Sequence, residues 1–193
     1  MIPDVEAVIN ELDGHRVQFA VLSRWLTPEQ LDRPVPGSSW IVKDFISHLA
    51  TIDTPVGEMF KTMHEGGDPG IRTGDGEPWN VDTWNEGKVR ERRALTVDEI
   101  LEEAARERVI LRGHLSHLTG DDLKKTLKFQ GDDKRPPSEI PLGAYLKGWC
   151  KHDVMHAMDM LRAMPERMTP ILERWFDDPV VRGYQAMMNR EPS

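Results

Sequence analysis

The chain has 193 residues, 38% hydrophobic and 30% charged, with a formal net charge of −8. That length fits one domain, residues 1–193, large enough to bury a core without staples. An acidic chain with no basic run repels phosphate backbones, which argues against nucleic acid as a partner. One cysteine, Cys150, permits no internal disulfide and fits a reducing cytoplasm. The acidic start "MIPDVEAVINELDG" is unlike a signal peptide, and no stretch approaches the ~18 consecutive apolar residues of a membrane span.

In chain order, Val5, Val8, Ile9, Leu12, Phe19, Leu22 and Leu26 recur at three and four spacing, so residues 3–26 read as a helix. Thr27 caps a short turn with Pro28 at its first position, and Pro34, Pro36 and Gly37 then break regular structure. A second helix spans about Trp40 to Met63, with a kink expected at Pro55. Residues 65–81, rich in glycine, form a loop long enough to be a candidate lid. Thr96 and Glu99 have the spacing of a capping box ahead of the stripe Ile100, Leu101, Ala104, Leu111, Leu115 and Leu118, and Gly120 ends this third helix.

The stretch "GDDKRPPSEIP" reads as a polar connector. A fourth helix runs from about Pro141 to Met164. A fifth segment starts at Thr169–Pro170 and continues, broken at Pro179, to about Asn189. No segment alternates well enough to be read as a strand. The expected class is therefore all-α, a bundle with its core in about 3–165 and a C-terminal helical extension in about 169–190.

Seven histidines are unevenly placed. His152 and His156 are four apart, hence about 40° apart around a helix, on a face shared with Tyr145, Trp149 and Asp159. His48 sits on a face of the second helix that Phe45 and Ile52 make apolar, which carries its ring into the core. A buried imidazole needs hydrogen-bond partners or a metal. The ordinary reading is a hydrogen-bonded core histidine; a pair joined by a third from another helix is how bundles build metal sites. His48, His152 and His156 are accordingly the candidate metal ligands. His15, beside Leu12 and Phe19, is the reserve ligand, whereas His114, His117 and His64 read as boundary or solvated. Asp159 and Asp44 are candidate acceptors behind the ligands. Cys150, ~200° from His152, points away and reads as a small core filler.

"SSWIVKDFISHLATID", followed by "WCKHDVMHAMDM", resembles the DinB-like (YfiT-like) family of metalloenzymes, through Trp40, His48 in "HLA", and the pair His152 and His156. "VDTWNEGKVRERRALTVDEILEE" looks like its third-helix region, and the resemblance covers most of residues 1–165. It implies a four-helix bundle with a long crossover between helices two and three. It also implies a divalent ion (nickel, zinc or iron) held by the three histidines, and in some relatives a low-molecular-weight thiol as cosubstrate. Many members cap the second helix with Ser or Thr directly after the tryptophan; here Ile41 stands there, so Ser39 is expected to cap. The family's mycothiol-dependent maleylpyruvate isomerases commonly carry glutamate where His152 stands, together with a further C-terminal domain, which makes their reaction a poor match.

Three histidines on a divalent ion leave it a Lewis acid that deprotonates a bound thiol or water near neutral pH. Attack by such a thiolate on a small electrophile defines a thiol S-transferase, and attack by hydroxide a hydrolase; the ligands are the same for both. Tyr145 and Trp149 are expected to wall the pocket or to act as ordinary core aromatics. The third reading is a non-catalytic, stress-associated binding protein. Its methionines from Met155 to Met168 would then form an adaptable surface or a homodimer seam rather than core filler.

Overall fold

A computed structural model describes residues 1–67, 80–129, 131 and 136–188. Helix α1, Pro3–Arg24, buries Val5, Ile9, Leu12, Arg16, Phe19 and Ser23, one stripe at three and four spacing. Pro3 opens it and Asp4 and Glu6 occupy its first turn, where the partial positive end of the helix favours them. The short α2, Pro28–Leu31, has a complete capping box from Thr27 and Gln30.

The second long helix is two helices, α3 (Val42–Thr51) and α4 (Asp53–His64), separated at Ile52. Pro55 explains the break, because it has no N–H for the Thr51 carbonyl and its ring collides with that group. The Thr51 hydroxyl turns back to the carbonyls of Ser47 and His48. Ser39 does not cap α3. The Asp44 carboxylate instead accepts the Ile41 N–H at 3.1 Å, which closes the first turn from inside. Nine of the ten α3 residues are buried, all except Lys43, so this helix runs through the middle of the protein.

Helix α5, Val81–Glu91, lies in the crossover and packs on α3, its start capped by Asn80. Helix α6, Val97–Leu115, begins at the Thr96–Glu99 capping box, with the Thr96 N–H donating to Glu99 at 2.7 Å. Two strands, β1 (Thr126–Phe129) and β2 (Ser138–Pro141), then pair antiparallel where no strand is expected; β2 lies in the polar connector and β1 just ahead of it. The strands are four residues each and β1 buries only Leu127 fully, too little alternation to stand out in the sequence. The fourth long helix is also divided, into α7 (Leu142–Trp149) and α8 (His152–Arg162). The extension supplies α9 (Pro170–Phe176), capped by Thr169, and α10 (Pro179–Met188). The lid assigned to residues 65–81 falls mostly on 68–79, outside the described residues.

The four-helix bundle is a ring: α6 packs against α1 on one side and α3 and α4 on the other, and α8 packs against α1 and α3. Its interior has two apolar halves. One gathers Phe45, Leu49, Ile100, Val154 and Met160 around α3 and α8; the other gathers Leu12, Phe60, Leu111 and Leu146 around α4 and α7. Each large side chain so buried contributes on the order of 1.5–3 kcal/mol. Met158, Met160 and Met164 belong to the first half, so this part of the methionine run is core.

Where the halves meet, four charged residues from four helices close on one another. Arg16 donates to Asp153 at 2.6 and 3.1 Å, and Arg108 donates to Asp53 at 2.7 Å and to the Leu12 carbonyl at 2.7 Å. Arg16 also reaches Asp53 at 3.5 Å, which links the two pairs. All four are buried.

Candidate metal centre

The break before His152 and the one after Thr51 set the site. Helix α3 carries His48 into the ring from one side, and α8 presents His152 and His156, one turn apart, from the other. The three rings form a tight group: His48 lies 5.3 Å from His152 and 4.9 Å from His156 between centroids, and His152 and His156 are 4.5 Å apart. One nitrogen of each lies within 4.8 Å of those of the other two. The Nε2 atoms of His152 and His156 face each other at 3.2 Å.

The far sides of two rings are held. Asn85 Oδ1 on α5 stands 3.1 Å from His48 Nδ1, and Asp159 Oδ2 stands 3.0 Å from His156 Nδ1. An acceptor at Nδ1 keeps the proton there and leaves Nε2 as a lone pair. Trp149 stacks on His152 at 4.5 Å and 13°, with Tyr145 stacked behind it. Burial, with the neighbouring His156, pulls the pKa of His48 and of His152 well below the usual histidine value, so both are neutral at physiological pH.

This donor set fits a divalent cation. The 3.2 Å between the Nε2 atoms of His152 and His156 matches the ~3.3 Å between nitrogens that each bind a tetrahedral ion at ~2.0–2.1 Å. The third nitrogen is near enough to join after a small ring movement. His152 Nδ1 is buried without a hydrogen-bond partner among the described residues, so the protein holds this ring by stacking rather than by a fixed proton.

Beside His156 opens a cavity of about 270 Å³, lined among others by Trp40, Phe45, Asp159, Arg162 and Tyr184. Trp40 is delivered by the turn around Gly37, whose φ of 76° only glycine adopts readily. The Trp40 indole N–H donates to Glu86 at 2.8 Å, which pins it at the cavity edge. Tyr145 and Trp149 back the histidines instead and are absent from the lining.

Of the candidates singled out in the sequence, His48, His152 and His156 are brought together, and Asp159 stands behind one of them. Asp44 does not reach His48, since its carboxylate is spent on the start of α3. His15 is no reserve ligand: its Nδ1 accepts the Trp175 indole N–H at 2.9 Å. His64 and His117 pair with each other elsewhere, with His64 also on the His114 carbonyl. The Cys150 thiol faces the Val8 carbonyl of α1, away from the site, and burial pushes its pKa up to about 12. Asn85 and Tyr184 are site residues that the sequence does not single out. Both are isolated polar side chains on helices that meet the site only through tertiary packing. Arg16 and Arg108 do leave a signal, each being a charge inside the apolar stripe of its helix.

No described helix is long and apolar enough to cross a membrane. No curated protein matches the chain. Among solved structures, the crystal structure of a mycothiol-dependent maleylpyruvate isomerase superposes with a TM-score of 0.60 at 10% identity, covering 91% of this chain and 68% of that one. A histidine-to-alanine mutant of that isomerase superposes equally well, at 0.60 and 10% over the same shares. At that identity the likeness speaks for the fold alone. The sequence profile of the DinB superfamily matches residues 11–160, most of the chain and all three converging histidines. By that match, the chain belongs to the DinB superfamily.

Proposed function

We propose that this protein is a divalent-metal-dependent enzyme that activates a low-molecular-weight thiol and transfers it to a small electrophilic substrate. The observation that carries this reading is the convergence of His48, His152 and His156, the last of which lines an open cavity. A purely structural metal site would be closed on all sides. A divalent ion held there supplies Lewis acidity, which lowers the pKa of a thiol or water brought against it.

The chain's own residues divide the remaining work. Burial keeps His48 and His152 unprotonated and thus able to donate lone pairs. Asn85 and Asp159 fix the rotation of His48 and His156, so the rings need little rearrangement to bind. Trp40 and Phe45 give the cavity an apolar wall against which a small organic substrate excludes water, and Arg162 places a guanidinium at its edge. The thiol half of the reading is supported by the fold shared with a thiol-dependent isomerase. The buried, unpaired Cys150 is compatible with the reducing cytoplasm to which we assign the protein.

The test is metal analysis of the purified protein and of single variants. The wild type is expected to carry about one divalent ion per chain, and His48→Ala, His152→Ala and His156→Ala to lose nearly all of it. His117→Ala should retain it. Equal metal content in all five proteins overturns the assignment. Turnover of an alkylating electrophile with a panel of small thiols then separates the chemistries: a rate independent of thiol makes the enzyme a hydrolase, and no turnover with either makes it a binding protein.

A further inference from the structure

The matched family region ends at residue 160, yet the site does not. Tyr184, on α10, donates its hydroxyl to Asp159 Oδ2 at 2.7 Å. The same oxygen faces His156 Nδ1 at 3.0 Å. Asp159 is 4% exposed and has no Lys or Arg ion-pair partner among the described residues; its salt-bridge contact is His156 alone. A buried carboxylate so placed depends on its hydrogen-bond donors, and Tyr184 is one of the two on this oxygen.

The position of Tyr184 is itself well determined. Val181, one turn earlier, is fully buried. Asp178 caps α10 through the Val180 N–H at 2.8 Å and meets Lys151 at 3.0 Å, which ties the start of this helix to the residue before α8. The Trp175–His15 hydrogen bond ties α9 to α1. Tyr184 also faces the His156 ring edge-on at 6.4 Å between centroids and lines the cavity.

We propose that Tyr184 is a positioning residue of the metal centre. Its hydroxyl orients Asp159, Asp159 holds the proton on His156 Nδ1, and His156 Nε2 is thereby left as a lone pair directed at His152. On this account α10, beyond the matched region, is a functional part of the site rather than an appended helix. The proposal rests on the metal reading above for its purpose, but its geometry can be tested without any metal.

The experiment compares the full-length wild type with Tyr184→Phe, which removes one oxygen and keeps the ring. In metal-free protein, ¹⁵N chemical shifts of the imidazoles report which nitrogen of His156 bears the proton. The wild type is expected to show Nδ1–H, and the variant a mixture of tautomers. With Co(II) as the probe ion, the variant should bind about tenfold more weakly, the low end of the 10–100-fold loss typical of residues behind a ligand, with a shifted visible spectrum. A role limited to packing α10 moves neither the tautomer nor the spectrum. Asp159→Ala, which removes the acceptor and leaves Tyr184 in place, should give a mixture of tautomers and a larger affinity loss, and adding Tyr184→Phe to it should cost nothing further. An unchanged His156 tautomer in a folded Asp159→Ala, or in a folded Tyr184→Phe, overturns the proposal. Failure of the wild type to bind Co(II) removes the metal reading but leaves the tautomer measurement to decide on Tyr184.

Discussion

His152 and Asp153 are consecutive residues that serve two different polar centres in the bundle interior. Asp153 joins Arg16, Asp53 and Arg108, where two positive and two negative charges satisfy one another and the Leu12 carbonyl takes a spare donor. His152 joins His48 and His156, where three imidazoles bring one ring nitrogen each to within 4.8 Å of the others. The charged set is complete within the chain. The histidine set has nitrogens placed to take up a cation. Two burials of polar groups, adjacent in sequence, thus serve different ends: one fixes how four helices sit together, and the other leaves a coordination site.

The difference is sharpest when one member of each set is removed. Arg16→Met leaves Asp153 buried beside a single guanidinium, and the loss of a buried partner costs about 3–5 kcal/mol. A denaturant titration should show that drop, while replacement of all four charges by apolar residues of similar volume should recover most of it, because the desolvation penalty disappears with the charges. In the histidine set, His48→Leu in metal-free protein removes no charge and should cost far less. Equal losses for Arg16→Met and His48→Leu would end the contrast drawn between the two centres.

Acid separates the two centres next. Burial, with the neighbouring His156, lowers the pKa of His48 and of His152 in the fold, while in the unfolded chain they titrate near the ordinary 6.5. Below that pH the unfolded state binds protons that the native state refuses, so stability falls as pH drops, by about 1.4 kcal/mol per pH unit for each ring. His15, lowered by burial as well, adds to the same limb. Burial pushes Asp153 upward, but Arg16 and Arg108 prevail and hold it below the usual 3.8. Its contribution is present above the unfolded carboxylate range and is lost only as pH falls through the lower folded value. Metal-free protein should therefore weaken between pH 7 and 5 through the histidines alone. A flat denaturation midpoint across that interval contradicts the burial of these rings as neutral groups.

How far the sequence reveals this depends on where the determining contacts lie. Helices α1, α6 and α9 are legible because their signals are local: an apolar stripe, Thr96 with Glu99, Thr169 before Pro170. The break near Ile52 follows from Pro55. The break at Cys150 and Lys151 has only Gly148 nearby as a cue, and the hairpin has only Leu127, Phe129 and Ile140 on its inner face, so both pass unread. His48, His152 and His156 are legible for the same reason as the helices, since spacing alone puts them on inward faces. Asn85 and Tyr184 come from the crossover and the extension, and no local pattern says which helix face they will meet. Arg16 and Arg108 were available, because a charge inside an apolar stripe must find a buried partner.

Asp44 makes the finest distinction, because in sequence it resembles Asp159: a carboxylate within one turn of a converging histidine. In the fold the two have separate duties. Asp159 faces His156, whereas Asp44 accepts the Ile41 N–H and lies 3.8 Å from Arg93, at the opposite end of α3 from the break. Asp44→Ala should thus lower stability by about 1 kcal/mol, the usual cost of losing a helix-start hydrogen bond, and leave bound metal unchanged. Metal analysis beside a thermal melt reads both quantities on one preparation. Loss of metal at unchanged stability would mean that Asp44 acts on His48 after all, and that the start of α3 and the histidine cluster form one unit rather than two.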